Sequence, residues 1–237
     1  MDLSVCVPVY KAHSAPNVGT LAAALPAAAG ALEAELVVAL NGIGTANAGV
    51  PGGVRTVALD TNRGVAPGWN AAAGAAAGEV LVFANDDVEP GPGSLELLAR
   101  VLRERPEAGV VGPVGTLWDT ERWQHRTFID MDGCEPGELV ECDVVSGFLF
   151  AVRREIYEAA GGFDEAYAPA SWEEVDFDQA VRAQGLKCYA VAGVDAPHEW
   201  GISARQKPWA RIRWGGRSEL IWSIHRRNRR HFLRKWA

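Results

Sequence analysis

The stretch that most constrains this chain is Glu79 to Val88, EVLVFANDDV. Val80 to Phe83 is an apolar run short enough to be one fully buried strand. It stops at Asn85, Asp86 and Asp87, and Pro90, Gly91, Pro92 and Gly93 then forbid regular continuation. Open α/β sheets bind their ligands at the carboxyl ends of such strands. Alternation along an extended segment sends Asn85 and Asp87 one way and Asp86 the other. Two oxygen-bearing groups facing one pocket suit a hard cation that also holds phosphate oxygens. The same residues fit an acidic turn capping a helix from Ser94 equally well.

The flanking segments repeat the pattern. SVCVPV (4–9), LVVAL (36–40), VRTVAL (54–59) and GVVGPV (109–114) read as buried strands, and DVVSGFLFAV (143–152) and LKCYAVAG (186–193) resume the sheet later. Helices fit between them. The first is capped by Asn17 and closed by Pro26 and Gly30; the next runs from Pro67 to Ala77 with Trp69 and many small residues. A third starts at Ser94 and carries Leu95, Leu98, Val101 and Leu102; others cover 153–160 and 173–184. Strands alternating with helices predict an α/β architecture with a doubly wound, mainly parallel sheet. From Trp118 to Glu141 no period is visible, and a long functional loop is expected there.

At 237 residues the chain fits one large domain, alone or with an appendage, and its 48% hydrophobic residues supply a core without staples. The four cysteines are scattered with no CxxC pair, which fits reduced thiols in a cytoplasmic protein. Neither a leader sequence nor an apolar run of membrane-spanning length is visible. The net charge of −7 hides an asymmetry: from Arg205 to Lys235 eleven Lys or Arg face one acid, Glu219. That segment is +10, which leaves −17 for the rest of the −7 total. Leu220, Ile221, Ile224 and Phe232 fall at roughly helical spacing within it, so a basic amphipathic helix is expected. Such a tail calls for an anionic partner: the inner membrane face, the acidic body of this chain, or that of a second copy in a homodimer. No nucleic-acid-binding motif accompanies it. YKAHSAPNVG after the first strand is neither G-x-G-x-x-G nor a Gly-rich phosphate loop, which sets aside dinucleotide oxidoreductases and nucleotidylyltransferases.

With these elements placed, the chain resembles the family 2 glycosyltransferases of the GT-A fold, in particular rhamnosyltransferases and galactofuranosyltransferases. The landmarks run in family order from Ser4 to about Ser203. Pro8-Val9-Tyr10 looks like the segment under the nucleotide base, and Asn62, Gly64 and Asn70 match the family's N-x-G-x-x-x-x-x-N stretch. FANDDV is similar to the strand ending in D-x-D, which implies donor contacts from Asn85 and Asp86 and a divalent cation, Mn or Mg, on Asp87. SGFLFAVRREIYEAAGGFDE resembles the family's G-x-x-x-x-x-R-R segment and its G-G-F-D-E turn, with Gly147 beside the donor. WEEVDFDQAVRAQG is similar to the segment whose second acid, Glu174 here, is the catalytic base. PHEW places His198 where some members have a further metal ligand. Three positions depart from the pattern: Leu40-Asn41 stands where an Asp usually contacts the base, Asn85 fills the first D-x-D position, and Glu174 stands where Asp is commoner.

The resemblance implies a GT-A domain over 1–203, with a donor half to about 115 and an acceptor half from about 116, then the basic tail 204–237. It implies a nucleotide-sugar donor and a glycan, lipid-linked or small-molecule acceptor. A cation on Asp87 offsets charge on the departing diphosphate, and a carboxylate takes the acceptor's proton. Glu173, Glu174 and Asp176 crowd one helix start, where they also suit the helix dipole. Glu174 is read as the base, Glu173 as its neighbour in catalysis, and Asp176 as structural or acceptor-binding. Trp172 and Trp118 fall beside the expected acceptor cleft and offer apolar faces to sugar rings. The rival from another class is a non-catalytic nucleotide-sugar- or carbohydrate-binding protein.

Overall fold

The computed structural model describes residues 1–10, 15–44, 50–197 and 209–236. In chain order the elements are β1 (Leu3–Val9), α1 (Ala15–Ala29), β2 (Ala34–Asn41), β3 (Arg55–Leu59), α2 (Val65–Ala75), β4 (Val80–Ala84) and α3 (Ser94–Glu104). There follow β5 (Ala108–Gly112), β6 (Gly115–Asp119), β7 (Gln124–Phe128), β8 (Leu139–Cys142), β9 (Val144–Val145), β10 (Leu149–Arg153) and α4 (Arg154–Ala159). The chain then forms α5 (Glu173–Arg182), β11 (Lys187–Val191), the hairpin β12 (Arg211–Trp214) and β13 (Arg217–Leu220), and α6 (Ile221–Trp236).

Eight strands make the main sheet in the order β3-β2-β1-β4-β10-β5-β11-β8. Only β10 and β8 run against the others, so the sheet is mainly parallel. Alternation along β4 shows why it is apolar throughout. Val80, Val82 and Ala84 meet α1 and α3 on one face, while Leu81 and Phe83 meet α2 and α5 on the other. The second face is an aromatic cluster in which Phe83 lies 4.7 Å from Phe163 and 5.3 Å from Phe150, and Trp69 5.1 Å from Phe163. Gly78 lets the turn into β4 press on β1: a Cβ there would sit 2.5 Å from the Ser4 nitrogen.

Four sequence readings need correction. α1 passes through Pro26 and ends at Ala29. The proline removes only one hydrogen bond of the last turn, and burial of Ala28 and Ala29 holds that turn down. The run 143–152 is two strands, because at Ser146–Phe148 the chain passes from the three-stranded sheet, where β9 pairs with β6, into the main sheet, where β10 pairs with β4 and β5. The supposed loop 118–141 holds the β6–β7 hairpin and the edge strand β8. β7 is exposed at every position, so it shows no apolar alternation to read. The basic tail forms its expected helix but with an unforeseen hairpin before it, and it packs on the body of this chain, one of the partners weighed for it. Phe232 is fully buried with Trp123, Tyr167 and Trp172 in a third cluster.

Candidate active site

The extended path of β4 ends at Ala84, and Asp86 and Asp87 lie on a turn, so strand alternation no longer assigns faces to them. Their side chains and that of Asn85 are half-buried. The Asn85 N–H donates to the Phe148 carbonyl at 2.9 Å. Beyond the acids, the Glu89 and Gly91 N–H groups donate to the carbonyls of Pro197 (3.0 Å) and Asp195 (2.8 Å). The loop after Asp87 is thereby laced to the segment that leads into His198. His198 itself lies outside the described residues.

Phe148 follows Gly147, and Gly147 faces Glu174. A Cβ on Gly147 would sit 3.3 Å from Glu174 Cβ and Cγ and 3.4 Å from Cδ. One three-residue break between β9 and β10 therefore touches the acid-ended strand on one side and the first turn of α5 on the other. The three acids of that turn, and Asp178 one turn on, differ. Glu173 is buried, and its Oε2 makes no hydrogen bond among the described residues. Burial, reinforced by the charge of Glu174, pushes its carboxyl well above the ordinary range. Glu174 is half-buried, and burial raises its pKa too. Asp176 is tied up: it accepts from Tyr167 OH at 3.0 Å, and from Lys235 Nζ and Trp236 Nε1 at 2.7 Å each. Asp178 accepts the Val145 N–H at 2.6 Å and so anchors α5 to β9.

The residues of the opposite rim are largely occupied within the protein. Asn41 donates to the Gly64 carbonyl and accepts the Arg63 N–H, each at 2.7 Å. Asn62 accepts the Gly64 N–H at 3.0 Å, and its carbonyl takes the Gly215 N–H of the tail hairpin at 2.7 Å. Gly64 has φ +102°, and a Cβ there would come within 2.7 Å of the Pro169 carbonyl oxygen. Asn70 brackets the G-G-F-D-E turn, accepting from Tyr157 OH (2.8 Å) and Phe163 N–H (3.0 Å). Pro8 packs under α2, where a Cβ on Gly68 would lie 2.6 Å from it. Val9 is buried, and Tyr10 is exposed at the end of β1.

Trp172 is not an open platform for a sugar ring. It is 3% exposed, with Trp118 5.5 Å and Phe232 5.1 Å from its ring, and its indole N–H donates to His225 Nδ1 at 3.2 Å. Trp118 is half-buried.

The sequence reading missed Asn228. It is fully buried on α6, and its Nδ2 lies 2.6 Å from the Tyr167, 3.1 Å from the Ala170 and 2.8 Å from the Ser171 carbonyl. Arg227 adds a bond to the Ala168 carbonyl, and His231 bonds Asp164 at 2.9 Å. α6 thus grips the segment that enters α5, including Ser171 and Trp172 in left-handed conformation. A polar residue between Ile224 and Phe232 in one buried stripe was the available signal. A groove of about 600 Å³ between α1 and the β2–β3 edge contains none of these residues.

A mainly parallel sheet that gathers an acid-ended strand, a bare backbone segment and a carboxylate-bearing helix start at one rim defines the GT-A class of fold. Two solved structures share that fold. One is GalNAc-T7 with UDP, GalNAc and Mn2+, with TM-score 0.64, 14% identity, and coverage of 84% of this chain and 44% of that one. The other is S. aureus TarS 1–349, with TM-score 0.55, 19% identity, and coverage of 76% and 55%. The model for glycosyl transferase family 2 matches residues 4–161, and the chain belongs to that family. N-acetylglucosaminyl-diphospho-decaprenol L-rhamnosyltransferase of Mycobacterium tuberculosis is 26% identical over 155 residues, which are 54% of this chain and 49% of the relative. The chain spans about half the length of the curated relatives it matches.

Proposed function

We propose that the protein is an inverting glycosyltransferase that moves a sugar from a nucleotide-diphosphate donor to an acceptor hydroxyl, with Glu174 as general base. The observation that carries this reading is the contact of Glu174 with Gly147, one residue from the carbonyl that bonds Asn85. It brings a carboxylate of raised pKa to the rim where β4 ends in acids. In-line displacement forms the bond from the acceptor oxygen to the anomeric carbon as the bond to the diphosphate oxygen breaks. The diphosphate leaves with the electron pair, and the acceptor's proton passes to Glu174. A base close to the working pH suits that transfer.

The donors at the end of β4 fit a hard cation: an amide oxygen at Asn85 and carboxylates at Asp86 and Asp87. Among the described residues no three His, Cys, Asp or Glu side chains form a metal cage, and oxygens of the donor's diphosphate would add ligands to a cation held there. Asp87 would hold the ion, joined by His198, whose preceding residues are hydrogen-bonded to the loop after Asp87. Bound Mn or Mg would offset the charge of the departing diphosphate. Pro8, Tyr10, Asn62, Gly64 and Gly147 then line the donor side, and Asn41 and Asn70 shape it through the loops they hold. The relative's name makes an L-rhamnose nucleotide and a polyprenyl-diphosphate-linked acceptor the first pair to try, with UDP sugars and Mn2+ second.

The test is donor binding followed by turnover over a panel of sugar nucleotides. Wild type should bind one donor with a thermal shift that chelator removes, and Asp87→Ala should lose that shift while keeping its fold. Donor bound without transfer or hydrolysis would favour the non-catalytic alternative, and no binding by any donor would overturn both.

A further inference from the structure

α6 carries two stripes at four-residue spacing. Ile224, Asn228 and Phe232 are buried on the body. Two residues out of phase, about 200° round a helix of 3.6 residues per turn, stand Trp222, Arg226, Arg230 and Arg234, all exposed. The nearby acids are taken by other cations: Glu219 by Arg227 at 2.7 Å, and Asp176 by Lys235 at 2.7 Å. Among the described residues none of the three stripe arginines forms an ion pair. A large indole, 48% exposed, heads this uncompensated row. The hairpin leading into the helix adds exposed Arg211, Arg213 and Arg217.

We infer that the outer stripe of α6 is a docking surface for an anionic membrane. From residue 222 to 234 the row runs roughly 18 Å along the axis at 1.5 Å per residue and winds through about 120° of the helix surface, an arc centred opposite the buried stripe, so the long side chains can reach one planar surface together. Guanidinium groups pair with lipid phosphates through two parallel hydrogen bonds, and tryptophan settles at headgroup level with its ring in the acyl boundary. The stripe is narrow, has no groove, and lies on a body that carries the acidic balance of the chain, a poor shape for wrapping nucleic acid. No helix among the described residues is long and apolar enough to cross a membrane; contact made by the side chains of this surface is peripheral and reversible in itself. Because the inner stripe grips the Tyr167–Ser171 carbonyls, membrane attachment and the entry to α5 share one helix.

The experiment is sedimentation of the whole protein with vesicles of phosphatidylcholine, with and without phosphatidylglycerol, at low and physiological salt. Wild type should bind only the anionic vesicles, more weakly as salt rises. R226E/R230E/R234E should lower the partition at least 100-fold, on the order of fivefold per arginine removed. Its melting temperature should be unchanged, since none of the three is buried. Trp222→Ser should weaken binding without altering the salt dependence. Absence of binding at low salt, or equal binding by the triple variant, overturns the inference. So does a salt-sensitive dimer lost in the triple variant without vesicle binding, which would make a second copy of this chain the partner.

Discussion

Glu173 and Glu174 are adjacent acids with different surroundings, and the difference assigns their tasks. Glu174 touches the bare backbone of Gly147, while Glu173 turns inward and leaves Oε2 without a hydrogen bond among the described residues. Glu174→Gln keeps the shape but cannot take a proton, so turnover should fall about 10²–10⁴-fold with donor binding little changed. The base must be ionised to act. The rate of the wild type should therefore fall on the acid side with an apparent pKa above the ordinary 4.5, a limb the Gln variant lacks. Glu173→Gln has the opposite signature. A carboxyl whose folded pKa is raised favours the fold when protonated and costs stability as pH rises beyond its unfolded value. Removing it should raise the melting temperature at neutral pH relative to wild type, with turnover largely kept. A dead Glu173→Gln beside an active Glu174→Gln would exchange the two roles. Gly147→Ala places a methyl 3.3 Å from Glu174 Cβ, too close to leave the carboxylate where it is. Since a misplacement of about 1 Å can cost 10²-fold, a shift of a few tenths should cost roughly tenfold in kcat with donor KM unchanged.

At the scale of elements, α6 holds the entry to α5. Asn228 shares its two N–H donors among three carbonyls, so Asn228→Ala leaves buried acceptors unmet and should cost about 1–3 kcal/mol. A purely structural loss would stop there. If Asn228 positions the base, the loosened first turn readmits water to Glu174, and the acid limb of the pH–rate profile should move down towards 4.5. An unmoved limb would confine Asn228 to stability. These elements were unequally legible in the sequence. β1, β2, β4 and β5 are buried on both faces over most of their length, and an apolar run bounded by Gly, Pro or acids can be little else. The β6–β7 hairpin could not be read, because β7 is fully exposed and its pairing depends on a partner strand rather than on burial. The break at Gly147 was hidden because apolar residues continue on both sides of it while the chain changes sheets. Asp87 and Glu174 stood out because each follows an apolar or aromatic landmark. The grip of Asn228 did not: its place between Ile224 and Phe232 marks it as buried, but its partners lie 57 to 61 positions away and leave no local pattern.

At the scale of the molecule, the question is whether the basic tail is an appendage, as its charge suggests, or part of the main cooperative unit. Phe232 lies 4.4 Å from Trp123 and 5.1 Å from Trp172, so three distant segments meet in one apolar cluster. Ion pairs at its rim, His231 with Asp164 and Lys235 with Asp176, are adjuncts to that burial. Partly exposed pairs contribute little, about 0–1 kcal/mol each, whereas deleting a buried Phe costs about 3–5 kcal/mol. Packing therefore outweighs charge in holding the tail, and salt should weaken membrane attachment long before it loosens α6. The whole protein should melt in one transition, and Phe232→Ala should lower it by roughly 6–20 °C, at 2–4 °C per kcal/mol. A separate tail behaves differently: Phe232→Ala would leave the main transition in place and add a small early one. Calorimetry of the two proteins distinguishes these outcomes, because a single shifted peak requires that the cluster around Phe232 unfold with the eight-stranded sheet.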